Sequence, residues 1–147
     1  MRPRLLFSAN LFEAPMRAAI IVRGILNREA VRSWIAKITG TGPLVKVRGA
    51  TARFTANTEQ RLDGHNDVND DPRLLGFTVG LSHEAFEDGL FELKPTREGA
   101  VTFRFHHARP FSWVIFPISK QIMRRVTPVT AGGPRPVFGG WYLGPRT

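Results

Sequence analysis

His65 and Asp67 stand two positions apart, just after the turn residues Asp63-Gly64 and the alternating stretch Thr51–Thr55. An imidazole and a carboxylate at that spacing on extended backbone point to the same side, because the side-chain period of a strand is two. Such a pair suits two neighbouring corners of a metal coordination sphere. A facial site for non-haem Fe(II) takes two His and one carboxylate and leaves its other positions open. His65 and Asp67 would be two of those three ligands. A blander alternative is that Asp67, Asp70 and Asp71, with Asn66 and Asn69, form a solvated loop or a weak hard-cation site. The loop lacks the regular spacing of a calcium loop, so a solvated loop flanking Asp67 is favoured over a cation site. Ser82, Ser112 and Ser119 have no His–Asp partners at a recognisable spacing, which sets serine-nucleophile chemistry aside.

The flanking sequence must build the scaffold that positions this pair. Ala18–Leu26 is apolar apart from Arg23-Gly24 and is read as a first strand. Asn27 follows as a helix N-cap, with Glu29 in the first turn where the helix dipole favours it. Val31, Trp34, Ile35 and Ile38 fall on one helical face, which places Trp34 in the core. Gly40 ends the helix, and Gly42-Pro43 prevents its resumption. Short β-type runs then succeed one another: Leu44–Val47, Thr51–Thr55, Leu74–Leu81, Leu90–Leu93, Ala100–Phe105, Phe111–Phe116, Ile122–Val129 and Pro136–Leu143. Turn chemistry separates them at Glu87-Asp88-Gly89, Glu98-Gly99, Arg109-Pro110 and Gly132-Gly133-Pro134. One leading helix and about eight strands at this spacing predict a mainly β sandwich or jelly roll.

Bulk composition agrees with one domain over 1–147, divided into an N-terminal strand and helix (1–43) and a β core (44–147). Eleven Phe and three Trp can fill a real core. The absence of Cys excludes a disulfide framework, a thiolate zinc site and an iron–sulfur cluster. No apolar run reaches the roughly 18 residues of a membrane span, and the first residues do not read as a signal peptide. The expected compartment is therefore the cytoplasm. A net charge of +9 points to an anionic partner, although the Arg residues are scattered and no nucleic-acid-binding motif is present.

With the elements in order, Arg53–Leu143 resembles the Fe(II)- and 2-oxoglutarate-dependent oxygenases, in their prolyl-hydroxylase-like branch. Ala52-Arg53-Phe54 and then His65-Asn66-Asp67 resemble the strand leading into the metal-binding His-x-Asp. Arg73–Ser82 resembles the strand that follows, and Asp88–Leu93 resembles the Gly-Gly-x-Leu-x-Leu strand. Val114–Pro117 resembles the strand before the distal ligand, and Arg125–Val129 resembles the His-x-Val-x-Pro-Val segment. Gly133, Arg135 and Gly140-Trp141 resemble the final strand, whose Arg pairs with the distal carboxylate of 2-oxoglutarate. Ile20–Ile38 resembles the leading strand and helix of that branch.

The resemblance implies a double-stranded β-helix (jelly roll, cupin-like) with one N-terminal helix packed on the sheet. It implies Fe(II) held by His65 and Asp67, 2-oxoglutarate held by Arg135, a role for Arg124 towards the co-substrate or an anionic substrate, and ascorbate as reductant. The reaction would be hydroxylation or other oxidation of a small-molecule or peptide substrate. The chain departs from the pattern at the distal ligand, where Arg124 stands in place of His. A guanidinium keeps its proton and offers no lone pair to a cation. Three readings stay open. Two protein ligands and a bidentate 2-oxoglutarate complete the iron sphere; or His106, His107 or, more remotely, His83 supplies the missing imidazole; or the barrel is a non-catalytic module in which Arg124 and Arg135 clamp an anion or a protein partner. Two further departures are Val137, where the family often carries a hydroxyl, and Phe54, near a position that commonly holds Tyr. Exposed sheet edges leave room for a homodimer.

Overall fold

The structure is a computed structural model that describes residues 14–56, 62–65, 67–68, 71–96 and 98–146; for 14–16 and 62–65 only the backbone is described. Two helices lead the chain, α1 (Ala14–Leu26) and α2 (Glu29–Thr39). Ten strands follow: β1 (Lys46–Phe54), β2 (Leu62–His65), β3 (Arg73–Gly80), β4 (Phe86–Asp88) and β5 (Phe91–Lys94), then β6 (Phe103–Phe105), β7 (Trp113–Pro117), β8 (Met123–Val126), β9 (Val129–Gly132) and β10 (Arg135–Leu143). One antiparallel sheet has the order β1-β10-β3-β7, and the other has the order β2-β8-β5-β6. β4 and β9 pair as a short ribbon.

Alternation along the strands sorts side chains into two cores. On β10, Phe138 and Tyr142 face the helices, while Val137 faces the opposite sheet. The helix-side core joins Ala19, Leu26 and Ile35 to Val47, Leu75, Phe77, Val79 and Tyr142. The inter-sheet core joins Phe54, Val114, Phe116 and Val137 to Phe91 and Val126 of the second sheet, with Phe86 and Val129 from the ribbon. This is the expected mainly β, jelly-roll arrangement with helical cover on one sheet.

Several local expectations change. Ala18–Leu26 is helical, not a strand, so two helices precede the sheets. An unbroken apolar run does not distinguish a buried strand from a helix. The decisive feature is that Ala19, Val22 and Leu26 pack inward at helical spacing. Asn27 is not the N-cap of α2. That position is Arg28, which makes no side-chain cap bond, while Asn27 Oδ1 accepts from the Val47 amide at 3.1 Å. Gly40 does close α2, with the left-handed φ of 69° that favours glycine. Trp34 is 56% exposed and Ile38 equally so, whereas Ile35 is fully buried, so the face of α2 that meets the sheet is narrower than its apolar stripe. Leu44–Val47 and Thr51–Thr55 fall largely within the single strand β1, and Ile122–Val129 divides between β8 and β9. Asp67 lies beyond the last residue of β2, so His65 and Asp67 do not share one strand.

Candidate functional site

The inner face of the first sheet is unusually small along one stripe. Ala50 and Ala52 of β1, Gly139 of β10 and Thr78 of β3 leave a cavity of about 430 Å³ between the sheets. Among the described residues, five of those lining it are basic (Arg23, Lys46, Arg48, Arg124 and Arg135), and none is acidic.

Arg135 opens β10 with its side chain turned inward, and it is 1% exposed. Its stem has room because Gly89 carries no Cβ; one there would lie 3.0 Å from Arg135 Cδ, and Gly89 also holds a φ of 57°. The guanidinium lies 5.1 Å from the Phe54 ring centroid and 5.8 Å from that of Phe86. Among the described residues, its Nε, Nη1 and Nη2 all lack a hydrogen-bond partner. Burial pushes its pKa down to about 10. A cation so placed is costly unless an anion completes it.

Arg124 lies on β8, where its backbone is cross-strand from His65 on β2 and Leu93 on β5. Its Nε lies 2.5 Å from Asp67 Oδ2, and both side chains are largely buried. The contact is ionic, with Nε and Oδ2 off the line of a good hydrogen bond. Arg73 supports the same loop. It donates to the Asp67 carbonyl at 3.2 Å, approaches Asp71 at 3.8 Å and stacks its guanidinium 3.7 Å from the Trp141 ring centroid. Thus Arg73 of β3, stacked on Trp141 of β10, holds the Asp67 carbonyl, and β8 supplies a cation to the Asp67 carboxylate.

No family model matches the sequence, and no curated protein matches it. Solved structures do. A 2OG-Fe(II) oxygenase family oxidoreductase from Burkholderia pseudomallei superposes with a TM-score of 0.62 at 17% identity, over 84% of this chain and 55% of that one. A prolyl-4-hydroxylase from Pseudomonas putida superposes with a TM-score of 0.59 at 15% identity, over 80% of this chain and 62% of that one. This chain has the 2-oxoglutarate/Fe(II) oxygenase fold. It spans between 55% and 62% of the length of those two chains, less than two thirds of either.

The two groups that this fold implies fit the residues unequally. 2-Oxoglutarate fits, since an unpartnered buried guanidinium at the cavity wall is a receptor for a carboxylate. Iron does not fit the described residues. Asp67 is engaged by Arg124, Arg124 has no lone pair, and no cluster of three His, Cys, Asp or Glu occurs among them. The side chain of His65 lies outside the described residues. The histidine rescue is not supported either. His107 is fully buried; its Nε2 meets Thr78 Oγ1 at 2.6 Å and its Nδ1 meets Ser112 Oγ at 2.8 Å. Both ring nitrogens are therefore occupied within the oxygenase-fold core. Burial, helped by the charge of Arg135, pushes its pKa down to about 4. His106 packs edge-on against Phe86, and His83 is on the surface.

Sequence reasoning missed Thr78 and its link to His107. The available signal was a lone hydroxyl inside the apolar run Leu74–Leu81. Thr78 lines the cavity, so a hydroxyl is present there even though Val137 offers none.

Proposed function

We propose that this oxygenase-fold barrel binds a small dicarboxylate of the 2-oxoglutarate class, with Arg135 as the carboxylate receptor. The observation that carries this reading is the fully buried guanidinium whose three nitrogens are unpartnered among the described residues. Its planar fork matches a carboxylate in bidentate geometry. The excess of basic lining residues supports an anionic occupant over a neutral or cationic one.

A second reading draws on the fold itself. In line with the 2OG-Fe(II) oxygenase family of one structural neighbour, the ligand would serve as co-substrate for an Fe(II)-dependent oxidation of a small-molecule or peptide substrate, with His65 and Asp67 as protein ligands and ascorbate as reductant. That reading requires Asp67 to leave Arg124. Breaking a buried ion pair costs about 3–5 kcal/mol, which weakens metal binding roughly a hundredfold to a few-thousandfold.

The deciding experiment is calorimetric titration of 2-oxoglutarate in EDTA, followed by anaerobic Fe(II) titration with and without it. Heat of binding in EDTA, lost in Arg135→Met, supports the receptor. A saturating visible charge-transfer band, followed by 2-oxoglutarate consumption once O2 is admitted, establishes the oxygenase reading. No binding under either condition rejects both. A homodimer or a nucleic-acid role has no comparable feature behind it; sedimentation velocity and oligonucleotide retention at low salt test them.

A further inference from the structure

We infer that Arg124 takes over the cation's role in this pocket, so that the ligand is gripped by two guanidinium groups and no metal. This rests on the dicarboxylate reading above and sharpens it to a ligand specificity.

Four observations carry it. First, the register sets Arg124 directly across from His65, and its Nε reaches the carboxylate of Asp67 at 2.5 Å. A fixed positive charge therefore already sits beside the carboxylate that would otherwise attract a cation. Second, Arg124 and Arg135 line the same cavity. Third, Asp67 engages Arg124 through Nε, so the ion pair does not use the two Nη groups of the guanidinium. That leaves a fork of N–H donors for a ligand oxygen. Fourth, the Arg124 guanidinium is held 5.8 Å from the ring centroid of Phe116, a residue of the inter-sheet core. Asp67 offsets one positive charge, while Arg135 has no described counter-charge. Arg23, Lys46 and Arg48 add further positive charge to the lining, so the chemistry that suits both guanidinium groups is a dianion with a carboxylate at each end.

The nature of the second anchor dictates which ligand features matter. A metal recognises a 2-oxo acid by chelating its ketone and adjacent carboxylate together. A guanidinium recognises a carboxylate alone and gains little from the neighbouring ketone. The pocket should thus require two carboxylates and be nearly indifferent to the 2-oxo group. Glutarate and 2-oxoglutarate should bind alike. 2-Oxopentanoate, which has the same chain and ketone but lacks the distal carboxylate, should bind poorly.

Titration of the native chain in EDTA with these three compounds tests this without any substitution. Glutarate is expected within about threefold of 2-oxoglutarate. 2-Oxopentanoate is expected roughly 10- to 100-fold weaker, the value of one charge-assisted hydrogen-bonded anchor. Arg124→Met should weaken glutarate by a similar factor, with Arg124→Lys intermediate and circular dichroism reporting the fold. Glutarate tenfold or more weaker than 2-oxoglutarate, or binding that appears only with added Mn(II), overturns the inference while leaving Arg135 as a receptor. Absence of binding by all three, with and without Mn(II), overturns the dicarboxylate reading as well.

Discussion

Replacing Arg135 by Met should make the empty protein more stable while removing its ligand. Burial pushes the pKa of the guanidinium down to about 10, well below its ordinary value. At about 1.4 kcal/mol per pKa unit, holding the charge inside costs on the order of 3 kcal/mol. Met keeps an unbranched apolar stem against Phe54 and Phe86 and carries no charge. Loss of the two ring contacts offsets part of the gain, at roughly 0.5–1 kcal/mol each, the low end for desolvated pairs because 5.1 and 5.8 Å lie near the outer limit of such contacts. The net expectation is a stabilisation of about 1–2 kcal/mol in ligand-free buffer. For a chain of this size that raises Tm by roughly 2–8 °C. Ligand should reverse the ranking, because a compound at a hundred times its Kd stabilises the native chain by about 2.7 kcal/mol and should leave the Met variant unmoved. Urea denaturation with and without 2-oxoglutarate measures both quantities. A ligand-free variant less stable than the native chain by 1 kcal/mol or more would show that Arg135 is structurally satisfied and not waiting for an anion. A full ligand-induced shift in the variant would refute the receptor role directly.

Acid should weaken the fold through His107. Its folded pKa is about 4, below the ordinary 6.5 or so, so the unfolded chain binds the extra proton between those values. Stability from this group is complete above about pH 6.5 and falls by about 3 kcal/mol as pH drops towards 4; an imidazole titrating near 6.5 by NMR would contradict it. Glu92 is almost fully buried between Arg104 and Arg125, which it meets at 2.8 and 2.7 Å. Glu92→Gln should lower stability by about 1–3 kcal/mol, and an unchanged urea midpoint would rule that out. Gly140 faces Gly49 across the β1–β10 pair, where a Cβ would strike the Arg48 carbonyl. Gly140→Ala should cost about 1–3 kcal/mol and speed amide exchange along β1; native-like protection there would refute the close approach.

The sequence by itself determined the class of fold and two cavity residues. Alternating apolar runs with Gly and Pro turns between them specify strands, and the family resemblance, through motif position, singled out Arg135 and Arg124. The motif order from His65 through Arg135 pointed to the oxygenase fold that the solved structures share. What stayed illegible was whatever depended on partners distant in the chain. Ala18–Leu26 became a helix because Ala19, Val22 and Leu26 found the outer face of a sheet whose strands lie much later in sequence. Trp34 stayed exposed because α2 buries only a narrow face. His107 lost its standing as a ligand because Thr78 and Ser112 meet it from other strands. The pairing of Arg124 with Asp67 likewise arises only when β8 is laid beside β2. Local sequence sets backbone preference and side-chain period; which charge meets which carboxylate is decided by strand pairing across the barrel.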